Sequence, residues 1–301
     1  MKKRKQKYIF KKLFFSLRDH GFLNWVNDKT YLKIYYKIET GERLNLKQPK
    51  TFNEKLQWLK LYYRKKDFST MVDKYDVKKL ISEKIGEQYV IPSIGIYNSF
   101  DEIDFDILPN QFVIKSTHNS GGVVVCKNKN EFKSVLYKEK FKNLMKQNYF
   151  YHGREWPYKN VKPRILVETY MKDEKYDVLP VYKVLNFGGE PKLIQVILND
   201  KTKNETVDYY DVNWKKLDIR QNFPNSSIVL PKPEKLDEIL NLARKLSADF
   251  PHIRTDFYII NNKVYFSEYT FFSDCGFKKF IPSRWDLTLG NLIELPPVIK
   301  G

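Results

Sequence analysis

The sequence predicts an α+β fold, and three observations carry that reading. Apolar strand-like runs and amphipathic helical stretches interleave, without the regular alternation of a doubly wound sheet. A hairpin signature lies near the end, where Ile253-Arg254-Thr255-Asp256-Phe257-Tyr258 and Val264-Tyr265-Phe266-Ser267-Glu268-Tyr269-Thr270 flank a turn at Asn261-Asn262. The composition is that of a globular chain, with 42% hydrophobic and 16% aromatic residues. No internal repeat or low-complexity linker is visible.

Taken in order, residues 22–90 read mainly as helix. Thr51 with Glu54 three positions on has the spacing of a capping box, and Leu56, Leu59 and Tyr63 then form one apolar face. A second helix is expected from Phe68 to Ile85, stopped by Gly86. Val90-Ile91-Pro92 and Gly95-Ile96-Tyr97 read as short strand edges. Phe112 to Lys115 and Val123 to Cys126 read as strands joined by a polar glycine turn. A helix is expected over Glu131–Asn148, and strands over Ile165–Glu168, Pro180–Phe187 and Lys192–Leu198. Leu236, Ile239, Leu240, Leu242, Ala243 and Leu246 mark an amphipathic helix over Glu234–Asp249, and the hairpin follows.

The 301 residues suffice for two or three modest domains with a real core. Cys126 and Cys275 are the two cysteines, without CxxC spacing or a histidine cluster. That argues against a disulfide framework or a zinc site and makes a reducing cytoplasm the default. The net charge of +18 calls for an anionic partner. Nucleic acid is not expected, since no zinc finger, RNA-recognition or basic-zipper pattern occurs and the lysines after residue 20 are scattered among acids. Lys2, Lys3, Arg4, Lys5, Lys7, Lys11 and Lys12 crowd the start, interrupting its apolar residues. No run there reaches a signal-peptide core or the ~20 residues of a membrane span. The segment reads instead as a basic amphipathic helix lying on an anionic membrane surface, or as a solubilising face packed on the body of the protein. The first reading is favoured, which places the chain in the cytoplasm, peripheral at the inner face of the cell membrane.

Chemistry concentrates in three segments. On a strand, Arg254 and Asp256 point to one side, as do Glu268 and Thr270. Paired as a hairpin, two acids, one arginine and one hydroxyl can converge on one surface. Hard oxygen ligands beside a guanidinium suit a magnesium–phosphate group, although solvated acids on an ordinary hairpin would give the same pattern. Lys115 ends a strand before Ser116-Thr117-His118-Asn119-Ser120-Gly121-Gly122, so a flexible backbone and a point charge could fold over phosphate oxygens. The lysine precedes the glycines, so this is neither a P-loop nor a dinucleotide fingerprint, and an ordinary hairpin turn remains the competing reading. Ile165-Leu166-Val167-Glu168-Thr169-Tyr170-Met171 runs from an apolar strand into a polar segment, where an adenine could pair with backbone amides or where a plain core strand could end.

The order of these segments resembles the ATP-grasp superfamily, and the chain is identified as a member of its TupA-like family, associated with teichuronopeptide and capsular polysaccharide synthesis. The marks are Pro49-Lys50-Thr51-Phe52-Asn53-Glu54-Lys55-Leu56-Gln57-Trp58, Val72-Asp73-Lys74-Tyr75, Ser99-Phe100-Asp101-Glu102-Ile103-Asp104 and Gly153-Arg154-Glu155-Trp156. The resemblance extends from about residue 30 to Pro297. It implies an ATP-grasp fold, two α+β subdomains clasping ATP, with a helical N-terminal region. The expected divisions are a basic helical segment over 1–50, a helical or α+β domain over 51–110, a lid subdomain over 111–172 and a catalytic subdomain over 173–301. The cofactors implied are ATP and Mg2+. Position by position, Lys115 would hold the α/β-phosphates, with Ser120, Gly121 and Gly122 closing over the β/γ end. Glu168 and the backbone of Tyr170 and Met171 would frame adenine, and Lys183 would add a phosphate contact. Asp256 and Glu268 would bind magnesium, Thr270 contributing more weakly, and Arg254 would stabilise an acyl phosphate. His118 matches a family histidine, with a catalytic and a structural role both open. Thr270 stands where most ATP-grasp ligases carry asparagine, and Val181 replaces an acid often found before the Tyr-Lys pair, which puts a ribose or metal role there in doubt.

The implied activity is formation of an amide through an acyl phosphate, with an amino acid or other amine attacking a uronic-acid carboxyl. The partners would be an anionic glycan or its lipid-linked precursor and an amine co-substrate. Three rivals stand beside it: a sugar kinase using the same nucleotide site, a glycosyltransferase using Asp104-Phe105-Asp106, and a non-catalytic glycan- or membrane-binding protein. Asp104-Phe105-Asp106 precedes Pro109 and reads as a turn into the Lys115 strand.

Overall fold

Every strand of this computed structural model, which describes residues 2–298 with side chains from Tyr8 onward, belongs to one of two antiparallel sheets. Helices α1 (Lys2–Asp19), α2 (Asp28–Thr40), α3 (Phe52–Tyr62), α4 (Phe68–Val72) and α5 (Asp76–Ile85) precede the first strand. The smaller sheet comprises β1 (Ser93–Tyr97), β2 (Phe112–Ser116), β3 (Val123–Cys126) and β4 (Ile165–Thr169), in the spatial order β1-β4-β2-β3. Between its last two strands in sequence lie α6 (Val135–Met145) and the single turn α7 (Phe150–Gly153). The larger sheet has the order β7-β6-β5-β8-β9, from β5 (Val181–Phe187), β6 (Glu190–Leu198), β7 (Thr206–Asp211), β8 (His252–Ile260) and β9 (Lys263–Thr270). Helix α8 (Leu236–Ser247) enters between β7 and β8, and α9 (Arg284–Asn291) comes last.

Local chemistry sets several boundaries. The capping box forms as its spacing predicts: the Glu54 amide donates to Thr51 Oγ1 at 3.3 Å and the Thr51 amide to Glu54 Oε2 at 3.2 Å. The helix expected over Phe68–Ile85 is two helices instead. Asp73 interrupts it, because its Oδ1 accepts the amides of Tyr75 at 2.8 Å and Asp76 at 3.0 Å and so offers the backbone a cap in place of a continuing turn. The helix expected over 131–148 shortens to α6, and β7 has no counterpart among the strands expected from sequence. At the hairpin tip Asn261 and Asn262 both take positive φ, 47° and 60°, the two-residue geometry that matches the twist of the flanking strands.

Packing redraws the expected divisions. Phe52, Leu56 and Leu59 of α3, Phe68 and Met71 of α4, and Val77 and Ile81 of α5 share one buried cluster with the strands of the larger sheet and α8. The segment 51–110 is therefore no unit of its own. Its helices belong to the larger sheet's core, while β1 pairs with β4 in the smaller sheet. The reason is that α5 turns an apolar face onto the larger sheet, leaving β1 to complete the edge of the other. The smaller sheet has a separate core around Phe100, Phe112, Ile114, Phe141 and Val167. A third cluster joins α1 and α2 through Phe14, Tyr31, Tyr35 and Phe277. No helix among the described residues is long and apolar enough to cross a membrane.

Ile81 is fully buried where α5 meets the larger sheet. Ile81→Ala is expected to cost about 2–5 kcal/mol, seen as a lower urea midpoint at an unchanged slope.

Candidate active site

The register of the larger sheet lays one row of polar side chains across all five strands. Tyr209 stands opposite Gln195, Gln195 opposite Lys183, Lys183 opposite Asp256, and Asp256 opposite Glu268. Residues directly opposite one another share a face, so the row presents Lys183, Asp256 and Glu268 side by side. One pair along on that face are Arg254 and Thr270. Arg254 grips Asp256 with two parallel bonds, Nε to Oδ1 at 2.7 Å and Nη2 to Oδ2 at 2.8 Å, and Nη2 also reaches Thr270 Oγ1 at 2.9 Å. Lys183 Nζ lies 3.6 Å from Asp256 Oδ2. Glu268 keeps 42% of its side chain exposed, with its carboxylate 3.6 Å from Arg254.

The smaller sheet brings a second charged cluster. Val113 of β2 pairs with Glu168 of β4, which makes Lys115, two residues on, a diagonal neighbour of Glu168 on the same face. Glu168 pairs with Lys115 through one oxygen and with Lys78 of α5 through the other, at 2.6 Å for Lys78. Lys78 also donates to the Ile91 carbonyl at 2.5 Å. Lys74, just before α5, donates its ammonium to the Asn119 carbonyl of the glycine turn, and its amide to the Thr117 carbonyl at 3.2 Å.

A cavity of about 340 Å³ lies between the two sheets, and both clusters line it. Lys115, Ser120, Gly121, Glu168, Lys183, Asp256 and Glu268 all line it. Its apolar lining comes from α5, Val90, Ile91, Val181 and Phe266. The other expected residues stand elsewhere. Tyr170 and Met171 are not in the cavity lining; beyond them, Asp173 Oδ2 accepts the Asn261 amide at 2.7 Å. Gly122 sits behind the turn at φ 58°, where an added Cβ would fall 2.2 Å from Ser116 Oγ, so a glycine is needed there for packing. His118 is 2% exposed and its Nε2 donates to the Leu144 carbonyl at 3.0 Å, behind the turn and away from the cavity. Burial holds its imidazole below the usual histidine range. Of its two open roles, the structural one matches these contacts. Thr270 is engaged by Arg254 rather than placed with the two acids.

Arg254 lines a second, smaller pocket of about 170 Å³, together with Gln195, Tyr209, Gln221, Asn222 and Asp274. The two pockets share Lys183 and Asp200, so they meet over the middle of the polar row.

A family model described as TupA-like ATPgrasp matches residues 54–294. The chain belongs to this family. No curated protein matches the sequence. Among solved structures, D-alanine–D-alanine ligase from Bacillus anthracis complexed with ATP is similar at a TM-score of 0.37 and 16% identity, over 67% of this chain and 55% of that one. The corresponding ligase from Helicobacter pylori gives 0.36 and 19%, over 81% and 65%. An L-amino acid ligase from Bacillus licheniformis gives 0.37 and 11%, over 66% and 40%. The chain spans about half the length of the first of these structures.

Lys74 and Lys78 are two cavity residues that sequence reasoning missed in this family member. The motif Val72-Asp73-Lys74-Tyr75 was in view, but nothing in it says that Lys74 reaches the glycine turn more than 40 residues later, an interaction with |i−j| of 45. Asp200 and Lys201, from the loop after β6, and the Gln195–Tyr209 part of the row were missed as well. Tyr209 lies on β7, which carried no recognised signal. Electrostatics separates the lysines. Burial pulls Lys74 and Lys78 below the usual lysine range, whereas for Lys115 the same burial is outweighed by Glu168. Burial works to raise Glu168, but Lys115 and Lys78 overcome it and hold the carboxyl below its ordinary value. Glu268 is held down likewise, burial being outweighed by Lys183, Arg254 and Lys74.

Because Glu168 has a depressed folded pKa, its contribution to stability is full above the unfolded value of about 4.3 and disappears as pH falls through the folded one. Wild-type stability should therefore decline on that acid limb. Glu168→Gln should flatten this limb and, by leaving Lys78 and Lys115 without their shared acceptor, lower stability near neutrality; urea midpoints across pH measure both.

Proposed function

We propose that the protein is an ATP- and Mg2+-dependent carboxylate–amine ligase that joins an amino acid or other amine to a uronic-acid carboxyl of a capsular or cell-surface polysaccharide, or of its lipid-linked precursor. The observation that carries this reading is the junction of two pockets over one polar row, one cationic enough for a triphosphate and the other faced by a fixed arginine. Membership of the TupA-like family supports the same activity class.

Asp256 and Glu268 fit a magnesium ion. Mg2+ is commonly held by one or two carboxylates together with phosphate oxygens, and here two carboxylates stand opposite each other in register. The grip of Arg254 uses one lone pair on each Asp256 oxygen and leaves the others free. Bound there, the ion would offset charge on the β- and γ-phosphates. Lys115 and Lys183, on opposite walls, would hold the phosphate chain, with Lys74 at the glycine turn adding a third cation. The acceptor carboxylate would approach from the second pocket, where Arg254 is positioned to orient it. Its oxygen attacks the γ-phosphorus and ADP leaves; the amine then attacks the acyl carbon, and phosphate and a proton are released. Gln195, Tyr209, Gln221 and Asn222 give that pocket a neutral hydrogen-bonding wall suited to the hydroxyls of a sugar ring. Ser120 and Gly121, on a turn with positive φ at Gly121, would shield the acyl phosphate from water.

ATP with magnesium is expected to raise the melting temperature of the wild type, and Glu268→Gln to remove most of that shift. Lys74→Met should weaken ATP binding about tenfold by calorimetric titration, the loss of one charge-assisted contact. With a uronic-acid glycan present, hydroxylamine should trap a hydroxamate and release phosphate with ADP. Transfer of phosphate to the glycan without any amide would replace the ligase by a kinase.

A further inference from the structure

The end of the molecule formed by α1 and α2 presents an apolar face that nothing in the fold covers. Phe14 packs between Tyr31 and Tyr35, with ring centroids 5.6 and 5.4 Å away, and so fixes the rotation of α1 against α2. That rotation turns Ile9, Phe10 and Leu13 outward, Leu13 remaining 54% exposed. The joining loop adds exposed Phe22 and, at 84% exposure, Trp25. Between them runs a groove of about 190 Å³ lined by apolar side chains, among them Phe10, Leu17, Leu23, Val26 and Ile34. Exposed apolar residues scattered singly need no explanation, but a contiguous set with an aromatic tip does.

Charge decides what covers it. Residues 2–12 carry Lys2, Lys3, Arg4, Lys5, Lys7, Lys11 and Lys12 and no acid. Lys11 is paired with Glu39 at 3.0 Å. Lys12, Lys29 and Lys33 are exposed, with no carboxylate at ion-pair distance among the described residues. A second copy of the chain would bring this basic face against itself, which like-charge repulsion opposes. A surface that is both anionic and soft enough to admit Phe10, Leu13 and Trp25 answers both features. We propose that the α1–α2 face docks the protein onto an anionic lipid bilayer, with these side chains in the headgroup–acyl boundary and the lysines against lipid phosphates. The face adjoins the second pocket in the chain: Tyr35 packs on Phe277 with ring centroids 4.0 Å apart, and Phe277 follows Asp274 of the pocket wall by three residues.

The test is co-sedimentation of the full chain with phosphatidylcholine vesicles, with and without phosphatidylglycerol. Binding should require phosphatidylglycerol and weaken as salt is raised. Leu13→Asp and, separately, Trp25→Ser should each lower partitioning about tenfold, while the ATP-induced thermal shift stays at its wild-type size because both residues are exposed and remote from the cavity. Lys12→Gln combined with Lys33→Gln should reduce binding to anionic vesicles only. Absence of binding to anionic vesicles, or binding that both apolar variants leave intact, overturns the proposal. So does a dimer in sedimentation equilibrium that Leu13→Asp dissociates while vesicles are ignored, since the face would then belong to a second copy.

Discussion

Asp256 is the constraint on which the rest of the structure depends. It is 1% exposed on β8, a strand with neighbours on both sides. Withdrawing a carboxylate from water this fully costs several kcal/mol unless its oxygens are satisfied by charged donors in good geometry. Arg254, two residues back on the same strand, satisfies both oxygens, and Lys183 stands directly across the ladder. Each of those cations needs its own fixed position. Thr270 supplies it for Arg254, and the pairing of β5 with β8 supplies it for Lys183. A one-residue slip of β9 against β8 would send Glu268 and Thr270 to the opposite face and leave the buried charges unbalanced. The register of the larger sheet and the charge pattern therefore enforce each other.

The cluster on the smaller sheet obeys the same rule with a different source of support. Glu168 is buried on β4 and holds two lysines, Lys115 from the adjacent strand and Lys78 from a helix belonging to the other core. Lys78 is thus a strut between the two sheets, and Lys74 is a second one through the Asn119 carbonyl. Arg164 adds a third, reaching Asp73 at 2.9 Å and Asp76 at 2.6 Å beside the start of α5. The helix that closes the cavity on one side is consequently tied to the smaller sheet by charged contacts. Apolar packing anchors it only to the larger one.

How much of this was legible in the sequence follows from how far apart the interacting residues lie. Short-range signals read well. The Thr51–Glu54 box, the Asn261-Asn262 turn and the alternation through 253–270 each depend on residues within a few positions. The convergence of Lys115, Glu168, Lys183, Asp256 and Glu268 came from the resemblance, and the registers of the two sheets account for it physically. What could not be read was set by tertiary contact. Asp73 breaks a helix that propensity alone would continue, and the course of the chain after Tyr170 and Met171 depends on Asp173 meeting the hairpin tip almost 90 residues later. His118 lies next to Thr117 and Asn119, all three buried, and its direction away from the cavity depends on where α6 ends. The fold class was visible from patterning, while the division into 51–110 and 111–172 was not, since it turns on which sheet an edge strand and three helices choose.

The arrangement of the two pockets carries a further consequence for any group transfer between them. Lys183 and Asp200 belong to both linings, while Arg254 belongs to one and Glu268 to the other. Yet Arg254 and Glu268 are only 3.6 Å apart. A negative charge at the boundary would therefore meet both Lys183 and Arg254 without a side chain having to move. Groups that are already fixed by sheet register need no reorganisation when charge appears, which is where electrostatic stabilisation is most effective. Burial works against the charged Arg254 guanidinium, but Asp256 outweighs it and holds the charge in place. The same bidentate contact that makes Asp256 tolerable in the sheet thus fixes a positive charge in the wall of the second pocket.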